Sequence, residues 1–354
     1  MIRARIKSGA AQLLSGIGVD RIGGWLSGSR NLPVVIGYHR VVEDYDSAAE
    51  TSIPSQLVSR KMLERHLDWI GRRFRFVTLD EVGARLELGD RSDVPAAAIT
   101  FDDGYQDFYD HAFPLLQKKG IPAAVFVVTD LVGTANPQAH DKLYLLLARR
   151  RRRVSLNASA GQDISRMSAY QATRALIENL SVAAIQEVIA GLESEDRISE
   201  DAFRPFSPLD WGTLDKMQRG GITIGSHTKS HVLLTSESAG LVREEVVGSR
   251  QEIEGRLGIP VRHFAYPSGN FNPGAVSAVA NAGYRYAYTG CLHRSKEHPL
   301  LTIPRTILWE NSSVDAGRFF SPSILDCQIH HAFDLVSGCR QSDHVAREHS
   351  NGGV

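Results

Sequence analysis

Ala96-Ala97-Ala98-Ile99-Thr100-Phe101-Asp102-Asp103-Gly104-Tyr105 is an apolar run that stops at two adjacent carboxylates and a glycine. It reads as a buried strand whose C-terminal end presents an acid pair to an opening. Neighbouring carboxylates repel, and each is costly to dehydrate, so a core strand that ends this way calls for a cation. Gly104 lets the backbone turn tightly directly after them. The same grammar returns in Gly221-Ile222-Thr223-Ile224-Gly225-Ser226-His227-Thr228-Lys229-Ser230-His231, a β-type run ending in two histidines. His227 and His231 stand four apart, so on one helical turn their imidazoles share a face and can grip one ion. One Asp with two His leaves a coordination position open for water, the composition of a catalytic metal site rather than a closed structural one.

Working outward, Pro33 to His39 reads as a first strand that again ends in polar, site-capable residues. Met62, Leu63, His66, Leu67 and Ile70 have helical spacing, and Pro122 to Val128 is a further buried strand behind a helix that Gly120 ends. This beat of strand and helix predicts an α/β fold with parallel pairing: a distorted (β/α) barrel of about seven strands. Ligand sites in such folds gather at the C-terminal strand ends, where Asp102, Asp103, His227 and His39 all fall. Residues 136–206 break the rhythm with helix-prone sequence and read as a helical insertion, either a lid or acceptor platform over the site or a decorative subdomain. The expected organisation is an N-terminal amphipathic region (1–30), one domain over 31–335 carrying that insertion, and a polar tail (336–354).

Forty basic residues balance forty acidic ones in 354, so no global field recruits nucleic acid. The dense basic run from Arg149 to Arg153 fits an anionic lipid head group or a solvated helix face. Three cysteines, Cys291, Cys327 and Cys339, make no disulfide scaffold and fit a reducing compartment. No stretch reaches the roughly eighteen apolar residues of a membrane span. The N-terminus lacks the sustained apolar core of a signal peptide, so a cytoplasmic location is expected. Ile2, Ile6, Leu13 and Ile17 share one helical face near Arg3, Arg5 and Lys7, which fits a helix lying on the cytoplasmic membrane or one packed under the barrel.

Thr100 to Tyr105 and Ser226 to His231, in that order and followed by Phe264-Ala265-Tyr266-Pro267-Ser268-Gly269, resemble the motifs of the polysaccharide deacetylase family, the NodB homology domain. The resemblance covers roughly residues 33 to 135 and 205 to 310. It implies that Asp103, His227 and His231 bind a divalent metal, zinc first, with Co2+, Ni2+ or Mn2+ as alternatives, and that Asp102 is the general base. It also implies an oxyanion donor in the 266–269 segment, for which Ser268 N–H is the candidate, and places Tyr105, Tyr266, Pro267 and Gly269 beside the substrate. Two departures stand out. Many members carry an arginine where Ala265 stands, and their later motifs, one of which supplies the general acid, have no clean match. Arg305 is the candidate to orient Asp102 instead, and His39 is the candidate proton donor to the leaving amine. The implied reaction removes N-acetyl groups from amino sugars of a polysaccharide or a lipid-linked glycan. Removal of a formyl or other acyl group from a lipid-linked sugar is the nearest alternative, and a glycan-binding protein with a degenerate site is the second.

Overall fold

The computed structural model describes residues 32–89, 94–149, 164 and 166–332. The expected N-terminal helix, Arg150 to Arg153 of the basic run, Cys339 and the polar tail lie outside them.

All pairing in the main sheet is parallel, as the strand and helix alternation requires. Val34–Tyr38 pairs with Ala96–Phe101, which pairs with Ala123–Val127, and the order continues through Thr223–Ser226, His263–Ala265 and Tyr286–Thr289 to Ile303–Pro304. Thr306–Ile307 then pairs with Val34–Tyr38. Ile303–Pro304 and Thr306–Ile307 are the halves of one short stretch, so eight hydrogen-bonded strands form a ring of seven staves that closes on either side of Arg305. The two-residue strand Arg75–Phe76 pairs with the start of Ala96–Phe101.

Alternation along each strand sorts the side chains into two layers. Ala97, Ile99, Phe101, Val125 and Phe264 face the surrounding helices and join the larger core. Ala96, Ala98, Ala124, Phe126, Ala265, Tyr288 and Ile303 fill the barrel. That interior is made largely of small residues, which leaves room for a few large ones. A Cβ on Gly225 would lie 2.5 Å from the Phe126 ring, and one on Gly37 would lie 2.5 Å from Ile307. Phe126 and Arg305 occupy this space, with the guanidinium 5.3 Å from the ring centroid.

The insertion folds on its own core. Helices Ala139–Arg149, Ala169–Asn179 and Val182–Glu195 bring Leu143, Leu146, Leu176, Ile185, Ile189 and Leu192 together, apart from the barrel clusters.

Under the first strand, His66 is fully buried, with Nδ1 3.2 Å from Tyr38 Oη and Nε2 2.7 Å from Ser313 Oγ. Burial lowers its pKa from 6.5 to about 3. Between those values the unfolded chain binds a proton that the folded chain does not. Stability therefore falls as pH drops below about 6.5, by about 1.4 kcal/mol per pH unit from this group. Urea midpoints at pH 7 and pH 5 check it: His66→Gln should lose less stability over that interval than the wild type, and an equal loss would assign the pH effect elsewhere.

Candidate metal centre

The Ala96–Phe101 strand carries its acid pair to the rim as expected. Asp103 takes a left-handed backbone (φ 71°), followed by Gly104 at 69°. Four of the six non-glycine residues with positive φ among the described residues, Asp103, Thr228, His231 and Ser268, lie in this rim's loops. Such conformations cost of order 1–3 kcal/mol each and persist where the surroundings over-determine them.

The two histidines do not share a helical turn. His227 directly follows the Thr223–Ser226 strand, and residues 227–233 are an irregular loop. What brings His231 back is a pair of left-handed residues, Thr228 (φ 68°) and His231 itself (φ 61°). The loop is held by Glu245, a buried carboxylate on helix Ala239–Leu257. It accepts hydrogen bonds from Lys229 N (2.8 Å), Ser230 N (2.9 Å) and Ser230 Oγ (2.6 Å). His231 N donates to Thr228 Oγ1 at 2.9 Å.

The result is a compact trio: one ligand-type atom each from Asp103, His227 and His231 lies within 4.8 Å of the others. Asp103 Oδ1 is 3.2 Å from His231 Nε2 and 3.6 Å from His227 Nε2. The donor set fits a divalent cation on two counts. Both Asp103 carboxylate oxygens are buried without a hydrogen-bond partner, a costly arrangement unless a cation satisfies them. His227 Nδ1 lies 2.8 Å from Ala265 O, so Nδ1–H donates to that carbonyl and Nε2 keeps its lone pair for a ligand. Burial pushes the His227 pKa down to about 4, which keeps the ring neutral as ligation requires. Burial alone would raise the Asp103 pKa, but His231, His140 and His39 together outweigh it and hold the carboxyl well below the usual range.

Asp102 is gripped by the residue at the barrel seam. Arg305 Nη1 and Nη2 donate to Asp102 Oδ1 and Oδ2, each at 2.7 Å, and Nη1 also reaches Thr100 Oγ1 at 3.2 Å. Burial raises the Asp102 pKa, while the Arg305 charge and His227 lower it, and the balance lies below the ordinary value. Arg305 thus holds both oxygens of Asp102 through a two-pronged pair that a lysine cannot reproduce. His39 directly follows the Val34–Tyr38 strand on the same rim. Its Nδ1 is buried without a partner.

The side chains of the 266–269 segment depart from expectation. Ser268 is exposed in a left-handed conformation (φ 55°). Tyr266 is fully buried, its hydroxyl donating to Leu301 O at 3.1 Å and its ring packed on Phe264 and Phe271. Its side chain therefore belongs to the core and not to a substrate face. Pro267 and Gly269 are buried too. Gly269 is required because a Cβ there would lie 2.3 Å from Gly290 N, so its close approach is to backbone and not to a ligand. Tyr105 is also buried, and its hydroxyl donates to Asp141 Oδ2 at 2.6 Å, which commits its polar atom to the protein.

The polysaccharide deacetylase family model matches residues 89–287, more than half of the chain. The chain belongs to the polysaccharide deacetylase family. This deacetylase-family chain is 31% identical over 115 residues to the poly-β-1,6-N-acetyl-D-glucosamine N-deacetylase of Staphylococcus epidermidis, a match covering 30% of the chain and 39% of that protein. The first curated relatives are thus matched over 38–39% of their own length. Among solved structures, Streptococcus pyogenes deacetylase PplD in complex with acetate has the same fold (TM-score 0.55, 18% identity, 84% of this chain and 97% of that one). IcaB from Ammonifex degensii does too (TM-score 0.53, 21% identity, 80% of this chain and 94% of that one).

Proposed function

We propose that the protein is a metal-dependent hydrolase that removes N-acetyl groups from the amino sugars of a polysaccharide or lipid-linked glycan. The observation that carries this reading is the Asp103, His227 and His231 trio, with its orphaned carboxylate, beside an Asp102 held rigidly by Arg305. Membership of the family and the N-deacetylase activity for which the S. epidermidis relative is named support the acyl group and the sugar.

When bound, a divalent cation lowers the pKa of water toward roughly 7 and polarises an amide carbonyl. Zn2+ is preferred, because two imidazoles and one carboxylate suit it. In this reading Asp102, kept ionised by Arg305, accepts the proton of the attacking water. Ser268 N–H, at an exposed turn, donates to the developing oxyanion. His39 passes a proton to the departing amine. Tyr105 N–H, Pro267 and Gly269 enter only as backbone shaping the floor of the site.

The chain's place in the cytoplasm, against a membrane carrying the lipid-linked substrate, is part of this proposal. It is supported by the sparse cysteines of the sequence and the apolar stripe on residues 1–30. No helix among the described residues is long and apolar enough to cross a membrane.

Acetate release from N-acetylglucosamine oligomers and N-acetylated glycolipids, with Zn2+ supplied, tests the reading. One acetate per new free amine is expected. Formate from N-formyl substrates in place of acetate would move the activity to a deformylase. Neither product, from a metal-loaded protein, would reduce it to a glycan-binding module.

A further inference from the structure

The helical insertion and the residues flanking it touch loop 103–107 at both ends. Just past the far end, Gln106 N donates to Ser207 O and Leu209 N donates to Gly104 O, both at 2.8 Å. Arg40, itself buried, holds Asp107 Oδ2 at 2.9 Å, also bonds to Pro205 O, and lies over the rings of Tyr105 and Phe206. At the near end, Gln138 Nε2 donates to the carbonyl of Asp103 at 3.3 Å. His140 and Asp141, at the head of helix Ala139–Arg149, are buried against the site. Tyr105 gives its single hydroxyl proton to Asp141. His140 Nε2 lies 3.0 Å from the same oxygen and 3.1 Å from the Gln56 side-chain amide, and these two contacts hold the imidazole's orientation. The fixed ring packs against His231, with centroids 5.1 Å apart and planes at 55°. His231 sits on a strained loop, so a wall on this side limits where its Nε2 can go.

We propose that the insertion is a clamp on the metal centre, with Gln138, His140 and Asp141 as positioning residues for Asp103 and His231. The inference rests on the trio being a metal site, but not on which acyl group is removed. It assigns the insertion a part in the site, beyond that of a decorative subdomain. The chemistry of the contacts gives the expected scale, since loss of residues supporting metal ligands typically costs about 10- to 100-fold in metal affinity.

The experiment is Zn2+ titration, together with the visible spectrum of the Co2+-loaded full chain, for the wild type, His140→Ala and His140→Gln. His140→Ala should raise the Zn2+ dissociation constant at least about tenfold and alter the Co2+ bands. His140→Gln, which retains a hydrogen-bonding amide near the Nε2 position, should recover most of both. A folded His140→Ala with unchanged affinity and spectrum overturns the clamp, whatever its turnover. If His140→Ala does not fold, Gln138→Ala, which removes one bond to the Asp103 carbonyl, carries the test: weakened affinity supports the clamp and unchanged affinity overturns it. A protein that shows these metal effects but releases no acetate would retain the clamp and lose the deacetylase reading.

Discussion

Asp102→Asn should lower kcat by about 10^2- to 10^4-fold, the range that a positioned general base supplies, while the protein keeps its metal. The two adjacent acids are separated by their surroundings. Asp103 faces the imidazoles of His227 and His231, whereas both oxygens of Asp102 accept from Arg305. An asparagine occupies the same volume but cannot take a proton from water. Turnover on N-acetylated oligomers, measured beside metal content, checks this. Full activity in Asp102→Asn would remove the base from this position, and loss of metal would make Asp102 part of the ligand set.

Arg305→Met should destabilise the fold by about 3–5 kcal/mol, the usual cost of leaving one partner of a buried pair without its counter-charge. Asp102 is only 4% exposed, so solvent offers little compensation. The same change removes the main influence lowering the Asp102 pKa. With the pKa raised, the acidic limb of the pH–rate profile should move to higher pH. Urea midpoints measure the first effect and kcat against pH the second. An unchanged midpoint with an unmoved limb would mean that the pair neither supports the fold nor tunes the base.

Much of the site was legible because strands advertise their ends. An apolar run stopping at Asp102-Asp103, and another stopping at His227, place their polar residues on one rim of a parallel barrel without any knowledge of tertiary contacts. The ring of seven staves follows from the same periodicity. The conformation between the histidines was not legible. A spacing of four fits a helical turn, and only the Glu245 carboxylate, fourteen residues beyond His231, shows why the loop wins. Tyr266 illustrates the opposite error: a residue inside a motif need not face the substrate, and burial beside Phe264 and Phe271 assigns it to the core. Gln138, His140, Asp141 and Arg40 escaped notice because they come up against loop 103–107 and the metal trio only through folding. The one available signal was an ionisable pair, His140-Asp141, heading the apolar helical run from Leu143 to Leu147.

Metal analysis of the purified wild type beside His227→Ala tests the central claim most directly. Two imidazoles and the Asp103 carboxylate, with no other partner for its oxygens among the described residues, predict about one divalent ion per wild-type chain. The variant should hold little or none after identical dialysis. A wild type that binds no divalent metal, or a His227→Ala variant that retains it in full, would contradict the account.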